Sequence, residues 1–267
     1  MESNLVLSVV TFIYGLSALS YITGTVFNKS KIANFGFFLL IAGLTGNFAG
    51  FILRWIESYQ LGIGRIPLSD MYESLVFFAL SGAFMYALVS KRFNRPAVGS
   101  VVVTIIFLAM AYAGISPSAD SAIKPLMPAL RSNWLTVHVI TCFIGYSGFA
   151  ISFAASLIIL FTGDTDKGRD LDELNYKMII YGFLFLSLGI ITGAVWADSA
   201  WGRYWSWDPK ETWSLITWFV YAIVLHARYM KTFKRKTIAW LSIIGFIAVL
   251  FTYFGVNQLL SGLHSYA

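Results

Sequence analysis

Residues 134–161 read WLTVHVITCFIGYSGFAISFAASLIILF, 28 consecutive positions without an aspartate, glutamate, lysine or arginine. Crossing the hydrocarbon core of a bilayer takes about 20 mostly apolar residues in helical form, so this run predicts a membrane-spanning helix from Trp134 to Phe161. A barrel strand would show about ten residues of alternating apolar and polar character, and here the apolar residues fall on every face. The same window finds seven further candidates, close to Leu5–Phe27, Ile32–Leu53, Met71–Ser90, Ala97–Gly114, Met178–Trp196, Thr212–Arg228 and Ile238–Val256. The expected fold is an all-α, polytopic membrane helix bundle of about eight transmembrane helices. It forms a single integral-membrane domain over residues 1–267.

Composition agrees with that reading. Of the 267 residues 58% are hydrophobic and only 12% charged, where soluble domains carry roughly 45–50% and about 25%. An ordinary soluble enzyme is excluded, and so is disorder, which needs high charge and few aromatic residues. The lone Cys142 excludes an internal disulfide, a Cys-x-x-Cys redox pair and a thiolate zinc cage. The leader Met1-Glu2-Ser3-Asn4 lacks the basic residues that precede a cleaved signal, so the first segment is expected to be a retained helix. Thirteen of the nineteen lysines and arginines fall in alternate joints. Basic residues collect on the cytoplasmic side, which predicts both termini outside. The formal charge of +6 therefore calls for a lipid bilayer and no nucleic acid as partner.

Two helix starts stand in the outer joints. Asp70 with Glu73, and Asp208 with Pro209 and Glu211, both fit the capping box, in which an N-cap side chain and the acid three residues on satisfy each other's backbone N–H groups. Between them lies the densest signal in the chain. Six of the nine tryptophans, Trp196, Trp201, Trp205, Trp207, Trp213 and Trp218, fall within 23 residues. A membrane-interface belt accounts for tryptophans singly; a cluster in one loop makes a flat aromatic platform suited to a flat apolar ligand. A macrocycle such as haem would lie on it with its carboxylates met by Arg203, Arg65 or Arg131. Two of the three histidines, His138 and His264, are expected at that same outer level, while His226 falls about 27 Å away along the following helix. Neutral imidazole is a normal ligand of haem iron. The competing readings are a solvated His226 beside Arg228 and a frayed terminus around His264.

The run Trp201-Gly202-x-x-Trp205-x-Trp207-Asp208, followed by Pro209 and Glu211, resembles the tryptophan-rich WWD signature of haem-handling membrane proteins of cytochrome c biogenesis. Pro67-Leu68-Ser69-Asp70-Met71-Tyr72-Glu73-Ser74, Trp134-Leu135-x-x-His138 and the stretch from Gly255-Val256-Asn257 to Gly262-Leu263-His264-Ser265-Tyr266 are similar to the CcsA/ResC-type branch, a cytochrome c synthase subunit. That resemblance implies a loop at about residues 196–213 in which Trp196, Trp201, Gly202, Arg203, Trp205, Trp207 and Asp208 present haem b. It further implies His138 and His264 as axial iron ligands of an outer site and His226 as iron ligand of an inner one. The inner site would be completed by a CcsB/ResB-type membrane partner. Haem would pass outward to be joined to apocytochrome c, in a multi-pass protein of the cell membrane, or of the thylakoid membrane if plastid-encoded. A haem exporter without ligase activity would use the same residues. A bis-histidine electron-transfer subunit would need four histidines, one more than the chain has.

Small residues carry the remaining expectations. Gly46 with Gly50 and Gly189 with Gly193 form small-xxx-small pairs that let helices approach closely. Asn47 is expected to hydrogen-bond between helices, and Cys142, one turn beyond His138, to be a core residue.

Overall fold

The computed structural model of the protein describes residues 2–93, 95–162 and 166–260. Every regular element among them is helical, as a chain without water around its backbone requires. Among the described residues seven helices are long and apolar enough to cross a membrane, and the fold is a polytopic membrane helix bundle. The chain divides into two compact units, residues 1–127 and 128–267.

The first unit contains α1 (Glu2–Val26), α2 (Ser30–Gln60), α3 (Met71–Ser90) and α4 (Pro96–Ile115). α1 packs along α2 and α4, and α3 touches the same two helices, so the four close into a ring. Close approach of α1 to α2 depends on glycine: a Cβ on Gly43 would stand 2.6 Å from the ring of the fully buried Tyr14, and one on Gly46 2.7 Å from Val10. Large apolar side chains point outward, Phe12 at 74% exposure and Phe38 at 66%, as lipid-facing surface does. Polar groups turn inward instead. Asn47 is buried and donates from Nδ2 to the Tyr14 hydroxyl and the Val76 carbonyl, both at 3.4 Å, linking α2 to α1 and α3.

At the end of this unit where α3 begins, the inward polar groups form an ion-pair network. Glu73 accepts from Arg54 Nε at 3.0 Å through one carboxylate oxygen and from Arg65 Nη1 through the other. Arg54 Nη1 also donates to the Ser121 carbonyl at 2.9 Å, and Arg65 Nε to the Lys124 carbonyl at 3.0 Å. Asp70 caps α3 by accepting the Glu73 N–H at 2.8 Å, which places Glu73 where it ties both long joints to α2.

The second unit repeats this connectivity. A 3-10 turn at Pro128–Leu130 leads into α5 (Asn133–Phe161), α6 (Asp166–Trp201), α7 (Pro209–Tyr229) and α8 (Arg235–Leu250). The last continues through a π-helical turn, Phe251–Gly255, into the short α9 (Val256–Leu259). α5 packs along α6 and α8, and α7 bridges those two. The packing recurs in detail, since Phe149 of α5 sits over Gly182 of α6 as Tyr14 sits over Gly43. Where eight spans were expected, the helix covering Thr212–Arg228 does form within α7 but is not one of the seven apolar enough to cross by composition. Its tryptophan, threonine, tyrosine and histidine residues are the reason, and several face its neighbours: Thr217 meets Thr252 at 2.9 Å, and Trp218 Nε1 donates to Ser187 at 2.8 Å.

Among the described residues, Glu73 is the only carboxylate that meets both buried guanidinium groups, and Glu73→Gln removes it. Breaking one side of a buried ion pair costs about 3–5 kcal/mol, so this variant should unfold at a clearly lower temperature in detergent than the wild type, whereas Asp120→Asn, on an exposed pair with Lys124, should leave the midpoint almost unchanged.

Candidate functional site

α5 starts at Asn133, with Ser132 accepting the Trp134 N–H at 3.3 Å, and its first turns carry His138. The imidazole Nδ1 lies 2.7 Å from the Gly189 carbonyl oxygen of α6. A carbonyl only accepts, so Nδ1 carries the proton and the neutral ring keeps a lone pair on Nε2. One face of the ring stacks on Trp196, with centroids 6.1 Å apart and planes 16° from parallel. Trp196 is itself 1% exposed, and its Nε1 donates to the Ala129 carbonyl at 2.9 Å. This is the arrangement that fixes a metal-binding histidine: one nitrogen tied to a backbone carbonyl, the other left for the metal.

The glycines of α6 make room for it. A Cβ on Gly193 would lie 2.6 Å from His138 Nδ1, and one on Gly189 would lie 2.5 Å from Cys142 Sγ. Cys142 is a buried core residue, as expected, with its sulfur 3.6 Å from the same Nδ1.

The tryptophans do not form one loop. α6 runs on to Trp201, past the expected end at Trp196, and stops at Gly202, whose φ of +72° is the left-handed conformation that ends helices. The connecting loop is residues 202–208, and Trp213 and Trp218 belong to α7. Trp201 sits edge-on to Trp196 at 4.8 Å, and Trp205 edge-on to Trp207 at 5.7 Å. Trp207 takes a φ of +60°, which is costly for a bulky side chain, and its ring is 69% exposed. Glu211 holds it there. Its carboxylate accepts the N–H groups of Ser206 at 2.7 Å and Asp208 at 3.2 Å, on either side of Trp207, while Asp208 accepts the Lys210 N–H at 2.9 Å and, completing the capping box, the Glu211 N–H.

α9 and the π-turn complete this end of the unit. Lys210 Nζ donates to Asn257 Oδ1 at 2.9 Å, Trp213 lies 4.1 Å from the Phe251 ring, and Tyr253 packs edge-on to Phe143 of α5. Arg203 is exposed in the loop. Arg65 is held by Glu73 and Asp70 within the first unit. His226 lies in the last turn of α7, exposed and without a side-chain partner among the described residues. The bidentate pair of Arg228 with Asp172, 2.7 Å from Nη2, anchors that end of α7 to α6. His264 lies outside the described residues. Sequence reasoning missed Trp196 as the inward-facing partner of His138, Glu211 as the strap across Trp207, and the Lys210–Asn257 contact.

Residues 68–264 match the pattern of the family described as Cytochrome C assembly protein. The chain belongs to that family. Its CcsA-type character follows from relatives named cytochrome c biogenesis protein CcsA. One from Guillardia theta is 37% identical over 283 aligned positions, taking in 94% of this chain and 92% of that one. One from Chlamydomonas reinhardtii is 42% identical over 228 positions; these cover 80% of this chain and 63% of that longer relative. A solved structure of cytochrome c heme lyase CcmF superposes with a TM-score of 0.78 over 94% of this chain and 46% of that one. At 16% identity that likeness is one of fold.

In this CcsA-type chain the glycines opposite His138 should tolerate no side chain. Gly193→Ala drives a methyl group into the imidazole, a misfit of the kind that costs about 1–3 kcal/mol, and should lower the unfolding midpoint in detergent. Gly114→Ala, where nothing lies within 4 Å of the added methyl, is the matched control and should unfold at or slightly above the wild-type temperature.

Proposed function

We propose that the chain takes haem b as its cargo at the end of the second unit that carries the tryptophan loop, presents it at the outer face of the membrane, and supports its covalent attachment to apocytochrome c. One observation carries this reading. His138 is locked by the Gly189 carbonyl and the Trp196 ring in the tautomer that leaves Nε2 free for iron. The other residues fit the same cargo: Trp201, Trp205 and the outward-held Trp207 offer apolar π surface, Gly202 turns the chain without adding bulk, and Arg203 and Lys210 supply positive charge. Bound haem supplies an iron that accepts imidazole ligands and vinyl groups to which cysteine thiols add.

The chain's own part is orientation. Gly189, Gly193 and Trp196 keep the His138 imidazole in one pose, and Asp208 and Glu211 keep the loop in one shape, so the entropy of positioning is met before the cargo arrives. His264, outside the described residues, is the proposed second residue that would hold the iron. His226, exposed near the far end of α7, is the proposed iron ligand of an inner site, and its exposure suits a site completed by a CcsB/ResB-type partner. The distribution of basic residues supports both termini outside, with the tryptophan loop on that face. The family supports a cell or thylakoid membrane.

Co-expression with the partner and an apocytochrome tests the proposal. His138→Ala should purify with less haem than the wild type, and added imidazole should restore part of it. Covalent cytochrome formation should fall with the bound haem. Normal haem content and normal maturation in the variant would sink the ligand assignment; normal haem content in the wild type with free haem released and no thioether formed would favour export over ligation.

A further inference from the structure

Lys210 is the second residue of α7, and its ammonium group does not enter the capping box around it. The two neighbouring acids are committed elsewhere: Asp208 accepts the backbone N–H of Lys210, and Glu211 accepts those of Ser206 and Asp208. The Lys210 Nζ instead reaches across to α9, where its hydrogen-bond partner is the neutral amide oxygen of Asn257 at 2.9 Å. No carboxylate among the described residues lies within ion-pair distance of it. The side chain is half-buried, and its charge reaches both His138 and Cys142 on α5. A lysine whose hydrogen-bond partner is a neutral amide, with the Asp208 charge acting on it from beyond ion-pair distance, keeps capacity to bind an anion, because an ammonium group offers three donors and a charge-assisted bond is stronger than a neutral one.

Four arginines are differently placed. Arg54 and Arg65 are bound to Glu73 in the first unit, Arg228 is bidentate on Asp172 at the far end of α7, and Arg203 stands in solvent on the loop. Lys210 alone among these combines partial burial with a hydrogen bond to α9 at the end of the second unit that carries the tryptophan loop.

We propose that Lys210, positioned by Asn257, is a carboxylate-binding residue of the His138 site and takes a propionate of the macrocycle, an assignment that rests on the haem reading above. Binding exchanges the neutral amide partner for a carboxylate without moving α7, since the helix start is fixed independently by Asp208 and Glu211. With haem bound, the lysine would hold a propionate at the start of α7, beside α9.

The test separates this assignment from the reading beneath it. The full-length chain in lipid nanodiscs is titrated with iron protoporphyrin IX and with its dimethyl ester, which lacks the free carboxylates, and binding is read from the Soret absorption band. The wild type should bind the acid about tenfold more tightly than the ester, the scale of one charge-assisted contact. Lys210→Met should lose that preference by weakening for the acid alone, and Lys210→Arg should keep most of it. Unchanged affinity of Lys210→Met for the ester also shows that the variant is folded. His138→Ala should weaken both ligands together. If Lys210→Met still prefers the acid as the wild type does while His138→Ala loses affinity, the lysine assignment is overturned and the haem reading stands. If the wild type binds neither porphyrin, both fall.

Discussion

The close approach of α5 to α6 is the constraint on which the site depends. It exists because α6 offers glycine at 182, 189 and 193 against Phe149, Cys142 and His138 of α5. Only at that separation does the Gly189 carbonyl, already the acceptor of a helical hydrogen bond, come within 2.7 Å of an imidazole nitrogen. Everything that suits His138 to the proposed ligand role, its tautomer, its ring plane and its stack on Trp196, follows from backbone approaching backbone. In a bilayer, helix association gains little from the hydrophobic effect, and small residues with interhelical hydrogen bonds take its place; here the same residues that hold the helices together also orient the chemistry.

The two units solve one packing problem twice and fill it differently. Each is a ring of four helices with the first and third members bridging the second and fourth, and each starts its third helix with an aspartate cap and a glutamate three residues on. In the first unit that glutamate, Glu73, turns to Arg54 and Arg65 and becomes the centre of a buried ionic lock. In the second, Glu211 turns back on the loop and fixes Trp207 outward. One architecture yields a rigid block in one case and a presented aromatic surface in the other, and the difference lies in which donors the preceding joint supplies: arginine side chains or peptide N–H groups.

The helices were legible because lipid imposes a length and an apolarity that a window reads directly, and the capping boxes because their partners are three residues apart. What lay hidden was contact between distant residues. Gly189 and Gly193 read as packing glycines, which they are, but that the object packed against them is His138, 51 residues from Gly189, has no local trace. Trp196 looked like one member of an exposed cluster because composition counts tryptophans without facing them; the continuation of α6 by five residues to Trp201 turns it inward. The span expected across Thr212–Arg228 fails the same test in the opposite sense, since residues that face protein are spared the need to be apolar.

Lys210 shows how local logic conceals a candidate for the proposed site. Beside Asp208 and Glu211 it reads as a cation next to two anions, electrostatically satisfied at the start of a helix. Yet a helix N-terminus already carries partial positive charge, so a lysine there is disfavoured and the nearby acids are engaged by backbone donors. A residue that works against its own helix dipole, turned away from solvent toward a neutral amide, needs a compensating anion to be worth its placement. Asp208 acts on it only through charge from beyond ion-pair distance, and an ammonium group bonded to a neutral amide keeps donors for a ligand that brings its own carboxylate.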